Sequence, residues 1–251
     1  MCQSETIYLF CFNSILFATL FYSLLNVFRK NWRSFSNLDR NFQIKFMSNL
    51  ISSIHAVVIV TLICLICATD QNFNKDNLIY RSNALILTYS ITFGYFVYDF
   101  FLLIYYKNEL FDWQYIAHHT VGMVAGYTTT NYGYFSYLMT ARLISEASTI
   151  FINFRWFLLV FKLKDSKLYT LNGILVLVIF GLVRIVPIIP LWMLSIQMTY
   201  DDEYQLIPLV CRVLYFSFKQ LIKPISSTSL SSAQSSTPTT SPLSSSLAQA
   251  S

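Results

Sequence analysis

The chain has 251 residues, 55% of them hydrophobic and only 12% charged, with a net charge of +5 and a mean hydropathy of +0.52. A water-soluble domain carries about 25% charged residues, so the composition excludes one and leaves an integral membrane protein. It also excludes a nucleic-acid-binding role, because there is no soluble basic domain to perform it.

A membrane-crossing helix needs about 20 apolar residues. Seven segments meet or approach that length: Thr6–Phe28, Ile44–Ala68, Ala84–Tyr106, Trp113–Thr130, Tyr134–Phe161, Tyr169–Met198 and Leu206–Ile222. The last is the weakest, since Pro208 and Arg212 interrupt it, and six spans is the fallback count. The expected fold is an all-α, multi-pass transmembrane helical bundle or barrel. No cationic stretch precedes the first span, and Arg29 and Lys30 follow it at once. It therefore reads as a retained anchor rather than a cleaved signal. Residues 1–39 are expected to form this anchor and a basic loop, and residues 40–223 the main bundle. Residues 224–251 are expected to be a disordered tail. Within 226–251, 16 of 26 residues are Ser or Thr, a composition that cannot bury apolar surface. Cys64 and Cys67 read as small apolar helix residues.

The cations are unevenly placed. Arg29, Lys30, Arg33, Arg40, Lys45, Lys107, Lys162, Lys164, Lys167, Lys219 and Lys223 fall on one side of the seven-span arrangement, and only Lys75 and Arg81 on the other. The positive-inside bias places the odd-numbered loops and the C-terminus in the cytosol and the N-terminus in the lumen or outside.

The polar residues inside the spans are the functional candidates, because ionisable groups are costly there. The chain has three histidines, His55, His118 and His119, and all lie in spans. At ~1.5 Å per residue, Asp99 and the histidine pair lie ~10 Å below the same membrane face. Arg142, Glu146, Thr149 and Asn153 recur at i, i+4, i+7 and i+11, one helix face. Such a stripe faces the bundle interior or water; the plainer alternative is that Arg142 and Glu146 neutralise each other and Asn153 bonds a neighbouring backbone. Gly122 and Gly126 follow His118 at i+4 and i+8, which lets another helix approach. Adjacent residues differ by ~100° around a helix, so only one imidazole points fully inward. Arg184 precedes Pro187 and Pro190, where a helix bend is expected. His55, Asp99, Arg142, Glu146, Thr149, Asn153 and Arg184 are thus expected to surround one cavity with the pair. Interhelical hydrogen bonding is the simpler role for the imidazoles. Three histidines are too few for a di-iron hydroxylase site. A haem held by His55 and one of the pair, or zinc held by His118, His119 and Glu146, are the remaining metal readings. The expectation is no metal and no cofactor.

The stretches Gly94-Tyr-Phe-Val-Tyr-Asp99, Trp113-x-x-x-x-His118-His119-Thr120, Glu146-x-Ser148-Thr149 and Asn153-x-Arg155, with His55 and Arg184-Ile, resemble the TLC-domain family across roughly residues 40–223. That family includes ceramide synthases and translocation-associated membrane proteins. The resemblance implies a helical barrel around a lipid-sized cavity, usually in the endoplasmic reticulum. In the ceramide synthases the paired histidines serve acyl transfer from acyl-CoA to a sphingoid amine, and His118 and His119 match that pair. The synthases carry downstream acids where this chain reads Ser145-Glu146-Ala147-Ser148-Thr149, and their homeobox-like insert is missing.

The leading expectation is therefore a protein that binds or handles membrane lipids and influences membrane lipid composition. One alternative is a His-dependent acyltransferase, with His118 or His119 as base, Glu146 orienting it and Arg184 holding an anionic group. Its partners would be acyl-CoA or a sphingoid base. A secretory-pathway cargo adaptor is the other alternative.

Overall fold

The computed structural model describes residues 3–200, except 75, 77 and 111, together with 204, 205, 207, 208 and 212. The expected seventh span and the Ser/Thr-rich tail lie almost wholly outside the described residues. Within them the protein is helical, and the one β-type pairing is an isolated bridge between Ile79 and Tyr134.

Ten α-helices follow in order: α1 Gln3–Asn31, α2 Arg33–Ser36, α3 Arg40–Thr69, α4 Asn83–Tyr105, α5 Lys107–Leu110, α6 Trp113–Tyr132, α7 Ser136–Leu143, α8 Ala147–Val160, α9 Lys167–Phe180 and α10 Ile188–Gln197. A 3₁₀ turn, Ile144–Glu146, joins α7 to α8, and a π turn, Gly181–Ile185, leads from α9 toward α10. Each pair thus forms one interrupted rod. Five segments are long and apolar enough to cross a membrane: Glu5–Asn31, Arg40–Thr69, Asn83–Tyr105, Ser136–Val160 and Lys167–Tyr200. Helix α6 has 20 residues, but its two histidines, four threonines and Asn131 leave it less apolar than these five.

Side chains mark where several helices begin. Asp39, Ser82, Asp112 and Ser166 each accept a backbone N–H from the first turn that follows, satisfying donors that helix geometry leaves unpaired. Helix α6 ends at Gly133, whose φ of 76° is left-handed and whose N–H donates to the Thr129 carbonyl at 2.8 Å. Glycine tolerates that conformation without a Cβ penalty. In-span hydroxyls are absorbed locally: Ser90 donates to the Ile86 carbonyl at 2.6 Å and Thr130 to Gly126 at 2.6 Å.

Helix α4 is the hub, packed against α1, α3 and α6; α3 packs on α8, and α8 on α9. Small residues set the close approaches. A Cβ on Gly94 would overlap Asn13 and meet its backbone carbon at 2.9 Å, so α1 and α4 touch backbone to backbone. A Cβ on Gly122 would overlap the Phe96 ring. Phe17, Phe21, Phe46, Tyr95, Phe96 and Tyr98 dominate the buried core between α1, α3 and α4. At the other end Ile59, Ile63, Leu85, Tyr89 and Leu143 form a second core. Cys64 and Cys67 are free thiols on the outer surface of α3.

The ends are tied differently. At the end bearing Arg29, the buried Gln43 amide donates to the carbonyls of Phe35, Ser36 and Leu38 at 3.1, 3.2 and 2.9 Å, and its oxygen accepts from Arg29 Nε at 2.7 Å. At the opposite end Tyr80 N–H donates to Gly133 at 3.1 Å and Phe135 N–H to Leu78 at 3.0 Å. Ser136 Oγ donates to the Tyr80 carbonyl at 2.6 Å, and Tyr89 Oη to the Ser136 carbonyl at 2.8 Å. The loops before α4 and after α6 are clasped by this network.

Candidate functional site

Tyr95 and Asp99 stand one turn apart on α4, on a face shared with α3 and α6. Asp99 Oδ2 lies 3.5 Å from His119 Nε2 on α6, and both side chains are almost wholly buried. His119 is flanked by Phe96 and Tyr95, with ring centroids 5.0 and 6.1 Å away. The missing side chain of Gly122, one turn on, admits Phe96 against α6. An imidazole and a carboxylate from different helices thus meet inside an aromatic shell.

His55 reaches the same shell from α3. Its ring stacks on Tyr95 at 3.9 Å and 12° and meets Phe17 edge-on at 6.0 Å. It is fully buried, and neither of its nitrogens has a hydrogen-bond partner; the buried Tyr98 hydroxyl also has none. Buried polar groups are normally paired, so this unpaired concentration marks the shell as unlike ordinary core.

His118 is different. Its ring sits 5.5 Å from that of His119 and 5.8 Å from Phe96, yet the residue is exposed. The charges of Glu146, Arg184 and Arg142 act on it. The pair therefore divides as the ~100° step requires: one ring closed in against Asp99, the other open beside charged groups.

Those charged groups sit where the two interrupted rods touch. The Ile144–Glu146 turn contacts the Gly181–Ile185 turn. Pro187 and Pro190 cannot donate to the helix ladder, and just before them Val186 N–H bonds to the Gly181 carbonyl at 2.9 Å in the wider π register. Such π turns often occur at functional sites. From this one the half-buried Arg184 sends Nε to Ser148 Oγ at 2.8 Å and Nη2 toward Thr149 Oγ1 at 3.5 Å. Thr149 in turn donates to Glu146 Oε2 at 3.1 Å.

The expected constellation thus separates into parts. His119 and Asp99 are in direct contact, and His55 joins them through Tyr95. Arg184, Thr149 and Glu146 are linked by hydrogen bonds, and the charges of Glu146, Arg184 and Arg142 act on His118. Asn153 belongs to neither: its Nδ2 donates to the Asn49 carbonyl at 3.1 Å and Ser53 Oγ at 3.0 Å, binding α8 to α3. Glu146 is bonded to Thr149, and the carboxylate in contact with an imidazole is Asp99. Among the described residues no three His, Cys, Asp or Glu side chains are grouped to hold a metal, so His118, His119 and Glu146 do not assemble as ligands. Sequence reasoning quoted Tyr95, Tyr98 and Ser148 within its motifs but gave none of them a place in the site. Tyr95 carried a usable signal, its i, i+4 spacing from Asp99. Tyr98 also lines an apolar groove of about 550 Å3 that opens outward between α1 and α4, with Phe10, Phe93, Val97 and Phe101.

Comparison with known proteins points one way. The TLC domain family model matches residues 45–223. The chain is 32% identical over 173 residues to TLC domain-containing protein 4-B of Xenopus laevis, covering 67% of this chain and 64% of the relative. It is 34% identical over 171 residues to TLC domain-containing protein 4-B of Danio rerio, again 67% and 64%. It is 30% identical over 182 residues to TLC domain-containing protein 4 of Homo sapiens, 72% of this chain and 69% of that protein. The chain therefore spans slightly under two thirds of the length of the first two relatives. No solved structure matches it.

Proposed function

The chain belongs to the TLC-domain family, a membrane-associated and lipid-related family, and from that premise we propose that it binds a membrane lipid beside the histidine pair and so influences membrane lipid composition. The observation that carries this reading is the division of the pair. His119 is held against Asp99 at 3.5 Å inside the shell, while His118 is exposed, beside the rings of Phe96 and His119 and within the field of Glu146, Arg184 and Arg142. Intramembrane ionisable groups of this density mark ligand pathways rather than simple packing. The open imidazole and charged groups would meet the polar head, and neighbouring apolar helix surface the acyl chains. The uneven loop cations support a lumenal N-terminus and a cytosolic C-terminus, and the family resemblance implies the endoplasmic reticulum. The test is native mass spectrometry of the purified protein: a lipid retained by wild type and lost in His118→Ala supports the reading. An empty wild-type protein would sink it.

A second reading, acyl transfer, is favoured by one specific contact. An imidazole held by a carboxylate has the base-and-orienter geometry of general base catalysis. His119, or His118 beside it, would take the proton from a hydroxyl or amine as that atom forms its bond to a thioester carbonyl carbon. The carbon–sulfur bond breaks, and the thiolate leaves to accept a proton. Asp99, rather than Glu146, would be the orienting group. Purified protein should then consume acyl-CoA with an acceptor, and Asp99→Asn should lower kcat more than it changes KM. An absence of turnover across amine and hydroxyl acceptors would dismiss this reading.

A further inference from the structure

Arg142 presents a problem that the lipid-binding reading does not by itself solve. It lies in Ser136–Val160, a segment apolar enough to cross a membrane, and its guanidinium has no hydrogen-bond or ion-pair partner among the described residues. The expected i, i+4 pairing with Glu146 is not made. The 3₁₀ turn falls between the two residues and tightens the helix there, and the Glu146 carboxylate is taken by Thr149 at 3.1 Å. The charge acting on Arg142 is instead that of Arg184, a like charge.

Arg184 is fixed from below. Its Nε is committed to Ser148 at 2.8 Å, and Ser148 is fully buried. Thr149 steadies one terminal nitrogen at 3.5 Å. Arg142 stands one turn before Glu146, and the Ile144–Glu146 turn touches the Gly181–Ile185 turn that carries Arg184, so among the described residues two guanidinium groups lie near this turn with Glu146 as its carboxylate, an excess of positive charge. Such an excess inside a bilayer is strongly disfavoured, and a guanidinium presents paired donors that match a phosphate or carboxylate. Arg142 lies six residues from the start of its rod, ~9 Å along the axis, within reach of a lipid headgroup drawn inward.

We propose that Arg142 and Arg184 form a seat for the anionic headgroup, phosphate or carboxylate, of one membrane-resident lipid, with Ser148 and Thr149 holding Arg184 in position. This rests on the lipid-binding reading and names the class of lipid.

The experiment uses the full chain in phosphatidylcholine nanodiscs doped separately with phosphatidic acid, oleic acid or neutral diacylglycerol, and native mass spectrometry to count retained lipid. Wild type should retain one anionic lipid per chain in preference to diacylglycerol. Arg142→Gln, which removes no bond made within the protein, should weaken retention about tenfold without changing the melting temperature. Arg142→Lys should restore part of it, and Arg155→Gln should leave it unchanged, because Arg155 is occupied over the Tyr169 ring at 3.9 Å. Preference for phosphatidic acid assigns a lipid phosphate; preference for oleate assigns a free carboxylate. Equal retention of diacylglycerol, or retention indifferent to Arg142→Gln, overturns the seat. If neutral lipid is retained in a His118-dependent manner, the seat falls while the lipid-binding reading stands. If no lipid is retained in any disc, both fall.

Discussion

The helices around α4 and the rods formed by α7–α8 and α9–α10 are assembled on different principles. In α4, 67% of the most apolar window is buried; in the Lys167–Tyr200 rod none of it is. The α4 region closes by contact of rings and backbones: Gly94 against Asn13, Tyr95 on His55, Phe96 over Gly122. The α7–α8 rod joins the core through Leu143 and through Phe157 on Phe46 at 4.9 Å, and polar hooks bind it and the α9–α10 rod as well. Asn153 bonds α3, Asn172 Nδ2 donates to the Phe151 carbonyl at 3.0 Å, and Arg184 holds Ser148. Lipid tails are as apolar as leucine, so apolar burial adds little between helices in a bilayer, while close packing and hydrogen bonds do. A face with no tight packing must therefore be placed by hydrogen bonds. The contrast locates the two halves of the site: His119 and Asp99 in the tightly packed region, Arg142 and Arg184 at the hooked one.

This comparison can be broken or sharpened by substitution. The largest effect is expected for Gly94→Val, whose side chain would enter the Asn13 backbone. Loss of stability of about 3 kcal/mol or more should appear as a collapsed melting transition in detergent; a wild-type melt would refute the close approach of α1 and α4. Tyr95→Ala removes the ring beneath His55 and should destabilise by about 3 kcal/mol, measured by steric trapping or denaturant titration. Gly133→Ala forces a Cβ onto a residue with φ of 76°, 2.8 Å from the Tyr80 carbonyl. A loss of about 1–2 kcal/mol, with faster exchange of the Tyr80 amide, is expected. The smallest effect belongs to Asn172→Ala. Interhelical hydrogen bonds in membranes contribute about 0.6 kcal/mol on average, so α9 should become more susceptible to proteolysis while the α4 core melts unchanged. An Asn172→Ala loss as large as that of Tyr95→Ala would erase the distinction between the regions.

Local patterning and the assembled fold contributed different information. Apolar runs of sufficient length and the Pro187–Pro190 pair are properties of short stretches, and they yielded the helices and the break before α10. The same logic anticipated that the two imidazoles would part, because adjacent residues on one helix diverge. The pairing of helices was beyond it. Helix periodicity tells which residues share a face but not which neighbour that face meets. Asn153 followed the stripe of Arg142 and Glu146 in sequence, yet bonds α3. Asp99 became the partner of His119 because Gly94 and Gly122 allow α1 and α6 to close on α4. The 3₁₀ turn separated Arg142 from Glu146 despite their ideal spacing.

What the amino-acid sequence determined alone was an all-helical membrane protein with its ionisable groups confined to a few known positions in the spans, since both follow from apolar length and local geometry. Tertiary structure alone decided which of those groups touch, which is enclosed and where positive charge is in excess. Contacts between helices depend on the shapes of surfaces distant in the chain, and no local pattern encodes how two such surfaces fit.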